Sequence, residues 1–130
     1  MHRFTTRVFY EDTDMAGIVY HANYLKFIER ARSDALREAG IDQNAMREDG
    51  LVFVVRSMEC DWLAPARYED LLEVTTTTET LKRASATLRQ EVLRGAKPLF
   101  RAAVLIACMG EGGGPRRIPD AAAAALGRMR

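Results

Sequence analysis

The sequence predicts an α+β domain in which one long helix packs against an antiparallel sheet of about five strands. A single stretch, from about Ala22 to Ala39, repeats apolar residues at three- and four-residue spacing. Several β-branched or aromatic runs are separated by short turn clusters instead of further helices. The 130 residues suit one domain spanning the whole chain.

Thr5 to Tyr10 read as a first strand that ends at the polar cluster Glu11-Asp12-Thr13-Asp14, with a loop running on to Tyr20. The helix follows. Tyr24, Phe27, Ile28, Ala31, Ala35 and Ala39 form its apolar stripe, Lys26, Arg30, Arg37 and Glu38 its opposite face, and Gly40 its stop. The stripe has the spacing that packing on a sheet requires, so it is scaffold and not a ligand cage.

After a polar connection through Asp49 and Gly50, Leu51 to Val55 and on to Trp62 read as strand, broken at Pro65 and Ala66. Leu71–Leu81, Ala84–Leu93 and Leu99–Met109 complete the sheet, with Lys82-Arg83 and Gly95-Ala96-Lys97-Pro98 as turns. Only Arg101 interrupts the apolar run of the last strand, as expected for a central strand or one at a subunit interface. The alanine-rich tail from Asp120 suits a short peripheral helix.

The 19 basic and 18 acidic residues are interspersed, giving a net charge of +1. Nucleic-acid binding is not expected, because it calls for a basic stripe that neutralises several phosphates. The scatter of Arg83, Arg89, Arg94, Lys97, Arg101, Arg116 and Arg117 suits at most a small anionic ligand. Cys60 and Cys108 have neither CxxC spacing nor a framework, so no disulfide, metal site or cofactor is expected. No stretch of about 18 apolar residues occurs and Met1–Tyr10 hold no signal-like run, which points to a cytoplasmic chain without a transmembrane segment. A domain this small buries only about two-thirds of its unfolded surface, which favours association with a second copy. His2 reads as an incidental terminal residue.

The densest set of reactive side chains runs from Tyr10 to Tyr24, between the first strand and the helix. The first-turn amides near His21, Ala22 and Asn23 are unpaired donors with partial positive charge, and Gly17 permits close backbone approach. Asp12 and Asp14 are two candidate acids, two residues apart. Together these groups suit acyl transfer from a thioester: amides hold the developing oxyanion while a carboxylate attacks or activates water. His21 is placed to orient substrate or water. The same Asp-rich loop also suits plain turn and capping chemistry, and the residues alone leave both readings open.

The pattern Tyr10-x-Asp12-Thr13-Asp14-x-x-Gly17-x-Val19-Tyr20-His21-x-Asn23-Tyr24 resembles the signature of the 4-hydroxybenzoyl-CoA thioesterase family. Pro65-Ala66-Arg67-Tyr68-Glu69-Asp70 and Arg116-Arg117-Ile118-Pro119 resemble its branch of acyl-CoA thioesterases associated with the Tol-Pal cell-envelope system. The resemblance extends from about Thr5 to Pro119. It implies a hotdog fold, a curved sheet wrapped around one helix, assembled as homodimers or homotetramers with clefts between protomers. It further implies metal-free hydrolysis of acyl-CoA, with Asp14 as nucleophile or general base and the His21 backbone amide polarising the carbonyl. Gly17, Tyr20 and Asn23 fall in the same motif as loop-shaping or substrate-side residues, and Arg67, Lys82 and Arg83 are candidates for the nucleotide end of CoA. Acyl carrier protein and phospholipid-synthesis enzymes are the partners it suggests.

A second hotdog lineage carries its catalytic Glu on the helix, which makes Glu29 the competing acid. A β-hydroxyacyl thioester dehydratase using His21 and Asp14, and a non-catalytic acyl-thioester or protein-binding module, are the alternative functions. Acyl-chain preference depends on which of Phe27, Val54 and Trp62 face the pocket.

Overall fold

The computed structural model describes residues 1–130. Its strands are β1 (His2–Arg7), β2 (Val52–Trp62), β3 (Leu71–Leu81), β4 (Ser85–Arg94) and β5 (Lys97–Met109), and its α-helices are α1 (Tyr24–Glu38), α2 (Gln43–Glu48) and α3 (Asp120–Arg128). All strand pairs are antiparallel, in the order β1-β3-β4-β5-β2. The five strands and the long helix match the expected hotdog architecture. Register breaks at Val55/Ser57, Thr78/Thr80 and Val92/Leu93 mark bulges, and bulges increase bend and twist, which lets the sheet curve around α1.

The buried face of α1 comprises Tyr24, Phe27, Ile28, Ala31, Arg32, Ala35 and Leu36. Arg32 is the member that hydropathy does not predict. Its Nη1 donates to Gln90 Oε1 at 2.9 Å, while Gln90 Nε2 donates to Ile28 O and Thr76 Oγ1, so a buried polar chain joins α1 to β3 and β4. Gly40, at φ 92°, ends α1 in a Schellman motif, with its N–H on Arg37 O and the Ile41 N–H on Leu36 O.

Three local expectations are corrected. The first strand is His2–Arg7 and not Thr5–Tyr10, because Tyr10–Asp12 form a 3-10 turn whose entry is tied by Phe9 N donating to Asp12 Oδ2 at 2.8 Å. His2 is not incidental: its ring is 8% exposed and Nε2 lies 2.9 Å from Asp34 and 3.1 Å from Glu38, pinning β1 to α1. The connection before β2 contains α2, capped by Asp42 Oδ1 accepting from Ala45 N at 3.0 Å. β5 lies between β4 and β2, so Leu99–Met109 is a central strand, and the long edge strand is β2. No helix is long and apolar enough to cross a membrane.

Candidate active site

Asp14 sits at the corner of a tight turn closed by Gly17 N donating to Asp14 O at 3.0 Å and by Asp14 N donating to Ile18 O at 2.9 Å. Gly17 adopts φ 77°, a left-handed conformation that non-glycine residues reach only with strain. Thr13 and Val19 bridge across the neck of the turn, and Val19 N donates to Ala66 O at 2.9 Å, so the turn is moored to the loop after β2. The Asp14 side chain uses Oδ1 to accept the Ala16 N–H at 2.8 Å, and Oδ2 has no protein partner.

The two acids separate by environment. Asp12 is buried; its Oδ2 caps Phe9 N, and its backbone carbonyl accepts from Tyr20 N and from Asn23 Nδ2, each at 3.0 Å. It is a structural clamp. Asp14 lines a cleft of about 420 Å³ together with Ile18, Val19, His21, Tyr24, Trp62, Leu63, Ala64 and Pro65. That volume lies in the range of small-molecule sites.

His21 opens the helical segment as the first residue of the 3-10 turn His21–Asn23 that leads into α1. The first donor used within that segment is the Asn23 N–H, which reaches Tyr20 O at 2.8 Å, so the His21 and Ala22 N–H groups precede the helical ladder. The His21 ring packs beside Tyr20 at 4.6 Å and edge-on to Trp62 at 6.1 Å, and no hydrogen bond joins it to Asp14. Tyr24 forms part of the floor: its hydroxyl accepts from Ala66 N at 2.9 Å, and burial pushes its phenol above the ordinary range. A carboxylate with a free oxygen thus faces the start of a helix across a mostly apolar cleft.

Residues 16–99 match the thioesterase superfamily, well over half of the chain. The chain belongs to the thioesterase superfamily. The acyl-CoA thioester hydrolase YbgC of Escherichia coli is 39% identical over 110 residues, covering 84% of this chain and 82% of the relative. The acyl-CoA thioesterase YbgC of Haemophilus influenzae is 41% identical over 107 residues, covering 82% and 79%. Among solved structures, a probable thioesterase from Bartonella henselae is 42% identical with a TM-score of 0.81, covering 91% of this chain and 97% of that one. A hypothetical protein from Thermus thermophilus superposes at TM-score 0.92 with 28% identity over the full length of both chains.

For a superfamily whose substrates are thioesters, the placement of the remaining candidates is informative. Gly17, Tyr20 and Asn23 are not among the lining residues: Gly17 shapes the Asp14 turn, Tyr20 flanks the His21 ring, and Asn23 ties the helix start to Asp12. Arg67 is exposed beside the cleft, bridged to Ile18. Lys82 and Arg83 occupy the β3–β4 turn at the opposite end of the sheet, where Ile118 N donates to Arg83 O and brings Arg116 and Arg117 close. The chain therefore does not bring Lys82 and Arg83 to Asp14. Glu29 lines a different pocket with Arg32, Phe53 and Val54.

Trp62, Leu63, Ala64 and Pro65 are cleft residues that the motif does not include. Of Phe27, Val54 and Trp62, only Trp62 faces this cleft; Phe27 is core and Val54 lines the Glu29 pocket. The strand-breaking Pro65, three residues beyond the aromatic strand end at Trp62, is the signal that the sequence carries for this wall. The loop Pro65–Asp70 is held by Asp70, whose Oδ2 accepts from Arg67 N at 2.9 Å and from Arg94 Nη1 at 2.8 Å. Burial acts to raise the Asp70 pKa, but these two hydrogen bonds and the charges of Arg94 and Arg67 outweigh it and hold the carboxyl below its ordinary value.

Proposed function

We propose that this chain hydrolyses acyl-CoA thioesters to free acid and CoA, with Asp14 as nucleophile or general base and the His21 backbone N–H polarising the thioester carbonyl. The observation that carries this reading is the shared cleft: Asp14, with Oδ2 unpartnered, and the helix start at His21 line the same 420 Å³ space. Relatives named as acyl-CoA thioester hydrolases at about 40% identity support the substrate class.

In the general-base route, Asp14 takes a proton from water as the oxygen adds to the thioester carbon, and the tetrahedral oxyanion is held by backbone N–H groups until the CoA thiolate leaves. In the nucleophilic route, Asp14 Oδ2 displaces the thiolate to form a mixed anhydride, which water then opens. Single turnover in isotope-labelled water bears on the choice: label in the Asp14 carboxylate requires the anhydride, opened by water at the Asp14 carbon, whereas label in the released acid arises from direct hydrolysis or from an anhydride opened at the acyl carbon.

The working assembly is a homodimer or homotetramer in the cytoplasm. In support, β2 is an eleven-residue edge strand carrying the exposed side chains of Val52, Val55 and Trp62, and an unpaired edge of this kind calls for cover. Two protomers sharing the cleft give the separated cations a joint role, with Arg67 and the Lys82–Arg83 turn contacting CoA phosphates. The Tol-Pal association, and exchange with acyl carrier protein or phospholipid-synthesis enzymes, belong to the same reading.

Thiol release from a panel of short, long and aromatic acyl-CoA substrates tests the function. Turnover on at least one class supports hydrolysis. Saturable binding without thiol release would favour a binding module, and water elimination from a β-hydroxyacyl thioester without hydrolysis would favour a dehydratase.

A further inference from the structure

We infer that Trp62 is a positioning residue that sets the carbonyl-polarising amides through a hydrogen bond to the His21 carbonyl. The inference rests on the hydrolytic reading of the Asp14 cleft and adds to it a group outside the motif.

The segment that presents the amides is a single three-residue 3-10 turn, His21–Asn23, and such turns have poorer hydrogen-bond geometry than an α-helix. Its orientation is therefore imposed from outside. On the Tyr20 side, Tyr20 N donates to Asp12 O at 3.0 Å and Asn23 N to Tyr20 O at 2.8 Å, with Asn23 Nδ2 also on Asp12 O. On the other side, Trp62 Nε1 donates to His21 O at 2.9 Å. The peptide unit is planar, so fixing the His21 carbonyl also fixes the Ala22 N–H of the same unit. The His21 backbone is thus held on both flanks, with its own N–H between the two ties. The Trp62 donor on the His21 carbonyl also polarises the His21–Ala22 unit and strengthens the Ala22 N–H, the neighbour of the His21 N–H, as a second donor.

Trp62 is itself anchored. Its ring meets Phe100, its cross-strand partner on β5, edge-on at 5.3 Å. Phe100 is fully buried and stacks at 5.1 Å on Tyr24, the first residue of α1. Sheet, aromatic cluster and helix start therefore form one closed unit around the His21 carbonyl. Trp62 also lines the cleft that the hydrolytic reading assigns to the acyl thioester. The indole N–H is neutral and does not titrate in water, which makes this tie independent of pH over the working range.

Trp62 is the single tryptophan of the chain, so biosynthetic replacement of tryptophan by 3-benzothienylalanine alters this site alone. The analogue keeps the ring shape and exchanges N–H for sulfur. Trp62→Phe serves as a second, genetically encoded variant that retains an aromatic contact on Phe100. Removing an oxyanion donor outright costs about 100- to 1000-fold in kcat, so loosening one is expected to cost about tenfold, with KM shifted less than about twofold.

The experiment measures kcat, KM and thermal midpoint for wild type, the analogue protein, Trp62→Phe and Asp14→Asn. A kcat loss near tenfold in the analogue, with KM and thermal midpoint little changed, is the expected result. Wild-type kcat in the analogue, or a loss carried by KM alone, overturns the inference, because Trp62 is then only a wall of the pocket. Should Trp62→Phe unfold, the analogue result decides. If Asp14→Asn retains wild-type turnover, the reading of the cleft fails; if Asp14→Asn is inactive while the analogue is fully active, the Trp62 inference alone fails.

Discussion

Replacing Tyr24 with Phe isolates one hydrogen bond that ties the floor of the cleft to the loop carrying Pro65 and Ala66. The Tyr24 hydroxyl accepts from Ala66 N at 2.9 Å, with Tyr24 2% and Ala66 0% exposed. Phenylalanine keeps the stack on Phe100 at 5.1 Å and the edge contact with Phe27 at 6.0 Å, so packing is conserved and only the acceptor is lost. The Ala66 N–H then loses its protein partner beneath the cleft floor, which costs about 1–3 kcal/mol. For a domain of this size each kcal/mol lowers the melting midpoint by roughly 3–5 °C. Urea unfolding at one fixed protein concentration is the appropriate assay, because self-association would otherwise contribute to the apparent stability. Since Ala66 O holds Val19 N at 2.9 Å, the Asp14 turn should loosen as well, and thiol release should fall with stability. A stability loss below about 0.3 kcal/mol would refute the reasoning, because it would mean that Ala66 does not depend on the phenol for its partner.

Other substitutions probe the same framework. The folded-state pKa of Asp70 is depressed, so the stability it supplies is present above the unfolded-state pKa of about 4 and is lost as pH falls through the lower folded value. Asp70→Asn should therefore flatten the acid limb of a melting-midpoint profile below about pH 4, and an unchanged limb would remove Asp70 from the account. His2→Ala releases the contacts with Asp34 and Glu38 and should cost about 0.5–2 kcal/mol in chemical unfolding, with faster hydrogen exchange along β1. Gly17→Ala meets no atom within 4 Å, so its cost is backbone strain of about 1 kcal/mol at φ 77°, read as reduced kcat with a small change in melting midpoint.

The sequence made the large elements legible because their signals are periodic and long. The Tyr24-to-Ala35 stripe faces inward as its spacing requires, and β3 coincides with the expected Leu71–Leu81. What escaped was short or set by tertiary contacts. The six residues of α2 are too few to show a helical period, and its start depends on one Asp42 cap. Arg32 is buried because Gln90, 58 residues away, supplies its acceptor, and His2 is ordered by two carboxylates on α1.

At the site, the residue types alone leave Asp12 and Asp14 as two candidate acids, and the family resemblance singles out Asp14. The fold adds the physical difference between them, with Asp12 turned to Phe9 N and Asp14 lining the cleft together with His21. Trp62, 41 residues from His21, reaches it because β2 ends beside the helix start. Lys82 and Arg83 look like neighbours of the site in composition, yet the length of β3 separates their turn from Arg67. Membership of the superfamily, once the fold is known, adds the thioester as substrate type but leaves chain length to the geometry of the cleft.

The most direct test of the account compares thiol release by wild type and by a folded Asp14→Asn variant on the preferred acyl-CoA. Asparagine preserves the turn and the Oδ1 acceptor for the Ala16 N–H while removing the charge and basicity of the group that faces the cleft. The expected result is a loss of at least about 100-fold in kcat with the fold intact. Turnover within about twofold of wild type would contradict it and move the chemistry to another acid, with Glu29 the first to examine.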